Sequence, residues 1–287
     1  MVRGFGGNVT YCEGFAGPGV YDKREPGSPI IALRALLADA SLKTKLNPAR
    51  LLFVDSDLRC VKMLERRLVD AVKPHWTMSQ WRDVGVHLEI RHGDCEPTLE
   101  QLLDQHQAWE HPILAVLDTW GGAVSARLVR RIAANPSSEV IITMQPQYFA
   151  RFAKAEDVEH GDKVFGSKSW REVVKQRPEA KLNWLLSHYR QTIEACGFRF
   201  VLDFELADES GHLLYLVFGT NHERGLQKMK EAMWEVDDAY GTGYRDPRDP
   251  HQETLQIQIE PQTAPLRRLI LAHLATLPDR QAPLRDL

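Results

Sequence analysis

One stretch constrains this chain more than any other: Tyr11-Cys12-Glu13-Gly14-Phe15-Ala16-Gly17-Pro18-Gly19. Residues 8–12 read as a strand, because Val9 and Tyr11 favour extended backbone. The run ends on an acidic residue and enters a turn with three glycines. Glycine is required where backbone takes positive φ or where a ligand lies directly against it. After an excursion through residues 21–27, Ser28-Pro29 opens a helix over 29–38, with serine as a capping residue and proline in the first turn. Strand, glycine turn and helix form the first unit of a nucleotide-binding α/β sheet. Its ligand belongs beyond the carboxyl ends of the strands.

Two kinds of cofactor compete for such a turn. A dinucleotide site uses G-x-G-x-x-G running straight into a helix that receives the pyrophosphate. Here the order is G-x-x-G-x-G, with Pro18 inside it and the excursion separating turn from helix. That order suits a ligand without a pyrophosphate, such as S-adenosylmethionine, whose ammonium can meet the acid at the strand end. The string resembles the Phe-Ala-Gly-Pro-Gly cofactor loop of class I methyltransferases. A tight turn with a purely structural role is the plain alternative.

Three more strand ends repeat the pattern. Residues 51–54 are four consecutive apolar residues, a strand buried on both faces, and they deliver Asp55-Ser56-Asp57. A carboxylate there accepts hydrogen bonds from ribose hydroxyls in nucleoside-binding α/β proteins, and Asp55 is the candidate. Asp57 fits the first turn of the next helix, 58–72, whose apolar face is Val61, Leu64, Leu68 and Val72. Residues 86–90 alternate as a third strand and lead to Gly93-Asp94, a place for a carboxylate facing an adenine amino group, or for an ordinary turn. Residues 112–117 form a fourth strand ending in Asp118-Thr119-Trp120-Gly121-Gly122. There a carboxylate can hold an exocyclic amine while an aromatic stacks on its ring. Alternatively, Trp120 packs on a neighbouring helix.

The rest of the chain completes an alternating β/α order. Helices are expected over 97–107, 123–134, 182–196 and 221–236, and strands over 139–144, 198–204 and 213–218. Between 149 and 179 regular pattern is lost. Lys163, Lys168, Arg171, Lys175, Arg177 and Lys181 are offset there by Glu172 and Glu179, with Phe165 and Trp170 interleaved. That combination is a candidate polyanion surface, or else a solvated face. Trp76 and Trp81 in the 75–85 connection suit a lid or a cover for the sheet edge. Residues 254–259 read as a strand and 264–277 as a helix.

Composition supplies boundaries. With 287 residues, 43% hydrophobic and 26% charged, the chain is large enough for one main domain and an appendage. No stretch approaches a membrane span, and residues 1–7 are no signal peptide, so a cytoplasmic protein without a membrane partner is expected. Cys12, Cys60, Cys95 and Cys196 form no C-x-x-C pair, so no metal is expected from the cysteines. A net charge of −3 offers no general basic footprint, and any nucleic-acid contact must be local.

Taken together, these residues resemble the three-Cys-motif partner proteins (TcmP), a branch of methyltransferase-like α/β proteins. The strings that carry the resemblance are Glu13 to Tyr21, Gly27 to Leu33, Phe53-Val54-Asp55 and Gly93-Asp94. Further on come Val164-Phe165-Gly166 with Trp170, then Tyr215 to Thr220 followed by Met229 and Trp234. The resemblance spans roughly residues 8 to 236. It implies a Rossmann-like class I methyltransferase fold: a mostly parallel seven-stranded sheet with helices on both faces. That domain would occupy 1–238, with a linker and partial winged-helix-like extension over 239–287. It implies S-adenosylmethionine or S-adenosylhomocysteine as cofactor. Glu13, Phe15, Ala16, Gly17 and Gly19 would hold the amino-acid end. Asp55 and Ser56 would hold the ribose, and Asp94, Cys95 and Asp118 the remainder. Asp118 and Trp120 would face the methyl acceptor, an amino or other nucleophilic group of a nucleic acid or nucleoside-like substrate. A companion bearing a three-cysteine motif is implied as partner. In one respect the chain departs from the family: Asp118-Thr119-Trp120-Gly121 stands where Asp-Pro-Phe-Gly is usual. Two further readings stand beside methyl transfer to nucleic acid: a cofactor-binding interaction protein, and a small-molecule methyltransferase.

Overall fold

The computed structural model describes residues 8–21, 25–38, 49–72, 85–120, 122–154, 159–208, 210–237, 240–245 and 264–277. In chain order these form β1 (Val9–Glu13), α1 (Ser28–Ala38), β2 (Ala49–Asp55), α2 (Leu58–Val72), β3 (Val86–His92), α3 (Cys95–Gln105) and β4 (Ile113–Leu117). Then follow α4 (Ala126–Ala133), β5 (Glu139–Met144), α5 (Pro146–Phe152), α6 (Glu159–Phe165), α7 (Lys181–Ala195), β6 (Phe200–Ala207), β7 (Leu213–Thr220), α8 (Glu223–Val236), β8 (Gly243–Arg245) and α9 (Ala264–Ala275).

The strand order is β3-β2-β1-β4-β5-β7-β6-β8. Strands β1 to β5 run parallel, and β7 joins β5 antiparallel. This is the mostly parallel α/β sheet expected. It has eight strands rather than seven, because Gly243–Arg245, inside the stretch read as linker, pairs with β6. The order reverses between β1 and β4. Right-handed crossovers therefore send α1 and α2 to one face, and α3 and α4 to the other. Because both faces are covered, the central strands are continuous apolar runs. Leu51, Leu52, Phe53 and Val54 are all buried.

Local chemistry sets the boundaries. Ser125 caps α4 by accepting from the Leu128 N–H, and its own N–H and hydroxyl both donate to Glu96. Gly197, at φ +121, follows α7 as anticipated. Asp57 serves the start of α2, its Oδ1 accepting from Arg59 N at 2.8 Å. Ser28 behaves differently from the capping role read for it: its hydroxyl donates to Glu13 Oε2 at 2.7 Å.

By internal contacts the chain divides into two compact units. One comprises Met1–Asp203 with Leu214–Leu226, the other Phe204–Leu213 with Gln227–Leu287. In the second, Arg245 pairs with Glu205 at 3.1 Å, and Gly241 lies against the Trp234 ring. The strand read at 254–259 and the tryptophans of the 75–85 connection lie outside the described residues. No helix among the described residues is long and apolar enough to cross a membrane.

Candidate cofactor and acceptor site

Register brings the acidic strand ends into one row. Glu13 pairs in register with Phe53 on one side and Val116 on the other, and Asp55 with His92. Glu13, Asp55, Asp94 and Asp118 thus stand at, or one or two residues beyond, the carboxyl ends of β1, β2, β3 and β4. They flank the point where strand order reverses, the crevice in which open α/β sheets bind ligands.

Glu13 is the deepest of them, only 2% exposed. Its Oε1 accepts from the Tyr11 hydroxyl at 2.6 Å and its Oε2 from Ser28 at 2.7 Å. Burial pushes its pKa up to about 7; the two hydrogen bonds oppose that rise and the Asp118 charge adds to it. The same pair of acids, Asp118 and Glu13, acts on the half-exposed Tyr21 hydroxyl, whose pKa is raised first by burial. Glu13, Tyr21 and Asp118 thus lie within electrostatic reach of one another.

The glycine turn wraps this carboxyl group. Gly14 sits directly on Cys95: a Cβ there would come 2.2 Å from its Sγ. Gly17 and Gly19 take φ of +63 and +81. A Cβ on Gly19 would also meet Leu64 Cδ1 at 2.7 Å. Gly27 N donates to Gly19 O at 2.8 Å, and Val20 bridges Pro26, so the excursion closes on itself before α1. Phe15 is exposed on the turn, whereas Ala16 is buried with its N–H on Val54 O at 2.9 Å.

Asp55 supports the turn from the neighbouring strand. Its Oδ2 accepts from Gly17 N and its Oδ1 from Asp57 N, both at 2.8 Å. Each oxygen keeps a second lone pair. Ser56 and Asp94 are exposed beside it, and Asp94 has N-cap backbone geometry for α3 with no side-chain cap bond. Cys95 is buried beneath Gly14, and its thiol pKa is pushed up to about 12 by burial. Its Sγ supports the turn from beneath.

At the other end, Trp120 is 79% exposed and takes φ +55, a conformation costly for a large side chain. Its N–H reaches Asp118 Oδ1 at 3.3 Å. The alternative of packing on a helix does not hold for it. The turn around it is fastened by Thr119 N to Thr143 Oγ1 at 2.9 Å, by Ala123 N to Thr119 Oγ1 at 2.6 Å, and by a Gly122–Met144 bridge. His160 Nε2 lies 2.6 Å from Gly122 O. His160, Tyr148 and Phe152 were not singled out in the sequence; Tyr148 lies 5.1 Å from Phe152 and 6.1 Å from His160, ring to ring. The helix following β5 could have suggested Tyr148 and Phe152, whereas His160 lies on the next helix and gave no signal.

The basic run from Lys163 to Lys181 reads differently in three dimensions. Trp170 is fully buried and Phe165 nearly so, stacked at 5.6 Å with rings 12° apart, so neither is presented to a polyanion. Lys163 pairs with Glu159 at 2.9 Å, Arg171 with Asp162 at 2.9 Å, and Lys175 with Glu172. Half of the cations are thus matched by acids.

No family model and no curated protein matches the chain. Among solved structures, it is similar to a point mutant of the 16S rRNA (adenine(1408)-N(1))-methyltransferase from Catenulisporales acidiphilia. Identity is 11% and the TM-score 0.34, over 74% of this chain and 84% of that one.

Proposed function

We propose that the chain is an S-adenosylmethionine-dependent methyltransferase whose acceptor is an amino or other nucleophilic group on a planar, nucleoside-like or nucleic-acid substrate. One observation supports the cofactor above all: the Glu13 carboxyl is buried at the N-terminus of α1 and accepts from Ser28. A pyrophosphate uses a helix N-terminus in dinucleotide sites. Here it would meet a carboxyl group instead, whereas a ligand ammonium would be welcomed. The residues present fit that cofactor. Glu13 would take the ammonium, Gly17 and Gly19 would let it lie close, Asp55 would receive the ribose hydroxyls and Asp94 the adenine amine. Bound there, the cofactor supplies an electrophilic methyl group on a sulfonium.

The chain's own contribution is alignment. In-line displacement needs the acceptor held against the methyl group, and orientation alone can supply several kcal/mol of the barrier. Asp118 would accept a hydrogen bond from an acceptor amine, and its carboxylate would take up the proton that the nitrogen loses as it gains the methyl group. Trp120 offers an exposed aromatic face for stacking. The family resemblance adds the companion protein, and the nucleic-acid substrate rests on the acceptor chemistry rather than on the basic run, whose aromatics are internal. A second reading, a cofactor-binding interaction protein, draws on the absence of the rigid proline after Asp118.

Calorimetry with S-adenosylmethionine, S-adenosylhomocysteine and NAD tests the assignment. Binding of the first two with no NAD binding is expected, and tighter binding of NAD would sink it. Methyl transfer that survives intact in Asp118→Ala would remove Asp118 from the acceptor end.

A further inference from the structure

Away from the carboxyl-end rim, β3 and the end of α3 bring two imidazoles and a carboxylate together. His87 and Glu89 lie two apart on β3 and so share a face, and His106 follows the last residue of α3. Their ligand atoms all lie within 4.8 Å of one another. His106 Nε2 is 2.7 Å from Glu89 Oε2, His87 Nε2 is 3.7 Å from the same oxygen, and the two rings are 4.6 Å apart.

We propose that His87, Glu89 and His106 form a binding site for a borderline transition-metal ion of the zinc class, linking the edge strand to the end of α3. Zinc bonds of about 2.0–2.1 Å at tetrahedral angles set ligand atoms about 3.3 Å apart. The separations of 2.7 and 3.7 Å bracket that value, so small side-chain rotations admit the ion. Arg91 bonds the other oxygen of Glu89, and its Nη1 donates to Gln105 Oε1 at 2.9 Å. That arrangement fixes the carboxylate with Oε2 turned to the histidines, the orienting role that outer hydrogen bonds play at metal sites. The His87 side chain is 51% exposed, which leaves an approach for the ion and a position for water. Arg91 and Arg50, which faces His87 in register, bring positive charge. A hard cation held by charge is therefore disfavoured, and a metal that bonds imidazole is selected. No cysteine takes part, and the two histidines belong to no short motif, so sequence spacing gave no sign of the site.

The test uses the full chain stripped of metal, titrated with zinc chloride and, for its visible absorption, cobalt chloride. One equivalent should bind saturably, with magnesium chloride failing to compete. His87→Ala and His106→Ala should each weaken zinc binding by about tenfold or more. At the same zinc concentration, zinc should raise the melting temperature of the wild type by more than that of either variant. Circular dichroism reports whether the variants fold; should His106→Ala unfold, His106→Gln takes its place. Absence of one-equivalent saturable uptake overturns the proposal. So does uptake that either folded variant leaves unchanged, because a three-ligand site needs both rings.

Discussion

The Gly17 N–H donates to Asp55 Oδ2 at 2.8 Å, tying the glycine turn after β1 to the end of β2. The same carboxylate holds Asp57 N at the start of α2. Asp55 is thus both a brace for the turn and, in the proposed site, an acceptor for ribose. Asp55→Ala should weaken S-adenosylmethionine by about 1–3 kcal/mol, the range for removing a charged hydrogen-bond partner. It should also lower the melting temperature of the ligand-free chain. Calorimetry giving equal affinity for both proteins would leave Asp55 as a brace alone.

Glu13 makes binding depend on pH. Its folded pKa is raised to about 7, so between about 4.5 and 7 the folded chain keeps a proton that the unfolded chain has released. Stability from this group therefore falls as pH rises through that window, by about 3 kcal/mol in all. Glu13→Gln should flatten the loss. The ammonium needs the ionised form, so cofactor affinity should rise by up to about tenfold per pH unit below 7. It should fall again above about 8, where an α-amino group loses its proton. A flat affinity profile from pH 5.5 to 8 would exclude Glu13 as the ammonium's partner.

Gly14 should tolerate no side chain while Cys95 lies beneath it. Gly14→Ala should destabilise the fold by about 1–3 kcal/mol, the cost of overpacking. Cys95→Ala in the same chain should return part of that loss, since the Sγ is the nearest obstacle. Additive losses in a double-mutant cycle by urea unfolding would show that the two residues do not touch.

Trp120 has a conformation that suits glycine. Trp120→Gly should therefore stabilise the ligand-free chain by roughly 1 kcal/mol, the penalty of left-handed backbone. If the indole stacks on the acceptor, methyl transfer should fall at unchanged cofactor affinity. Gain of stability with full transfer would make the exposed ring incidental.

Much of this was legible along the chain. Apolar runs such as Leu51 to Val54 announce central strands because both faces are covered, and the acidic residue closing each run falls at the same edge by register. Residues 146–175 were opaque for the opposite reason. The α5 and α6 helices are only seven residues each and carry no sustained period. Trp170 is interior because it closes over Gly161, where a Cβ would come 2.3 Å from its ring, and because its Nε1 donates to Asp162 at 2.9 Å. Neither partner can be recognised from the local alternation of charge and aromatics. The His87–Glu89–His106 group likewise exists only once α3 has returned along β3.

The turn after β4 has a final consequence. Thr143 and Met144 of β5 and His160 of α6 grip it, at Thr119 and Gly122. A segment clasped by both a strand and a helix behaves as a mould rather than a door. An acceptor laid against Asp118 and Trp120 would be screened by its outline, with ill-fitting molecules turned away at encounter instead of being sorted by closure. In such an arrangement, poor acceptors differ from good ones first in how weakly they dock.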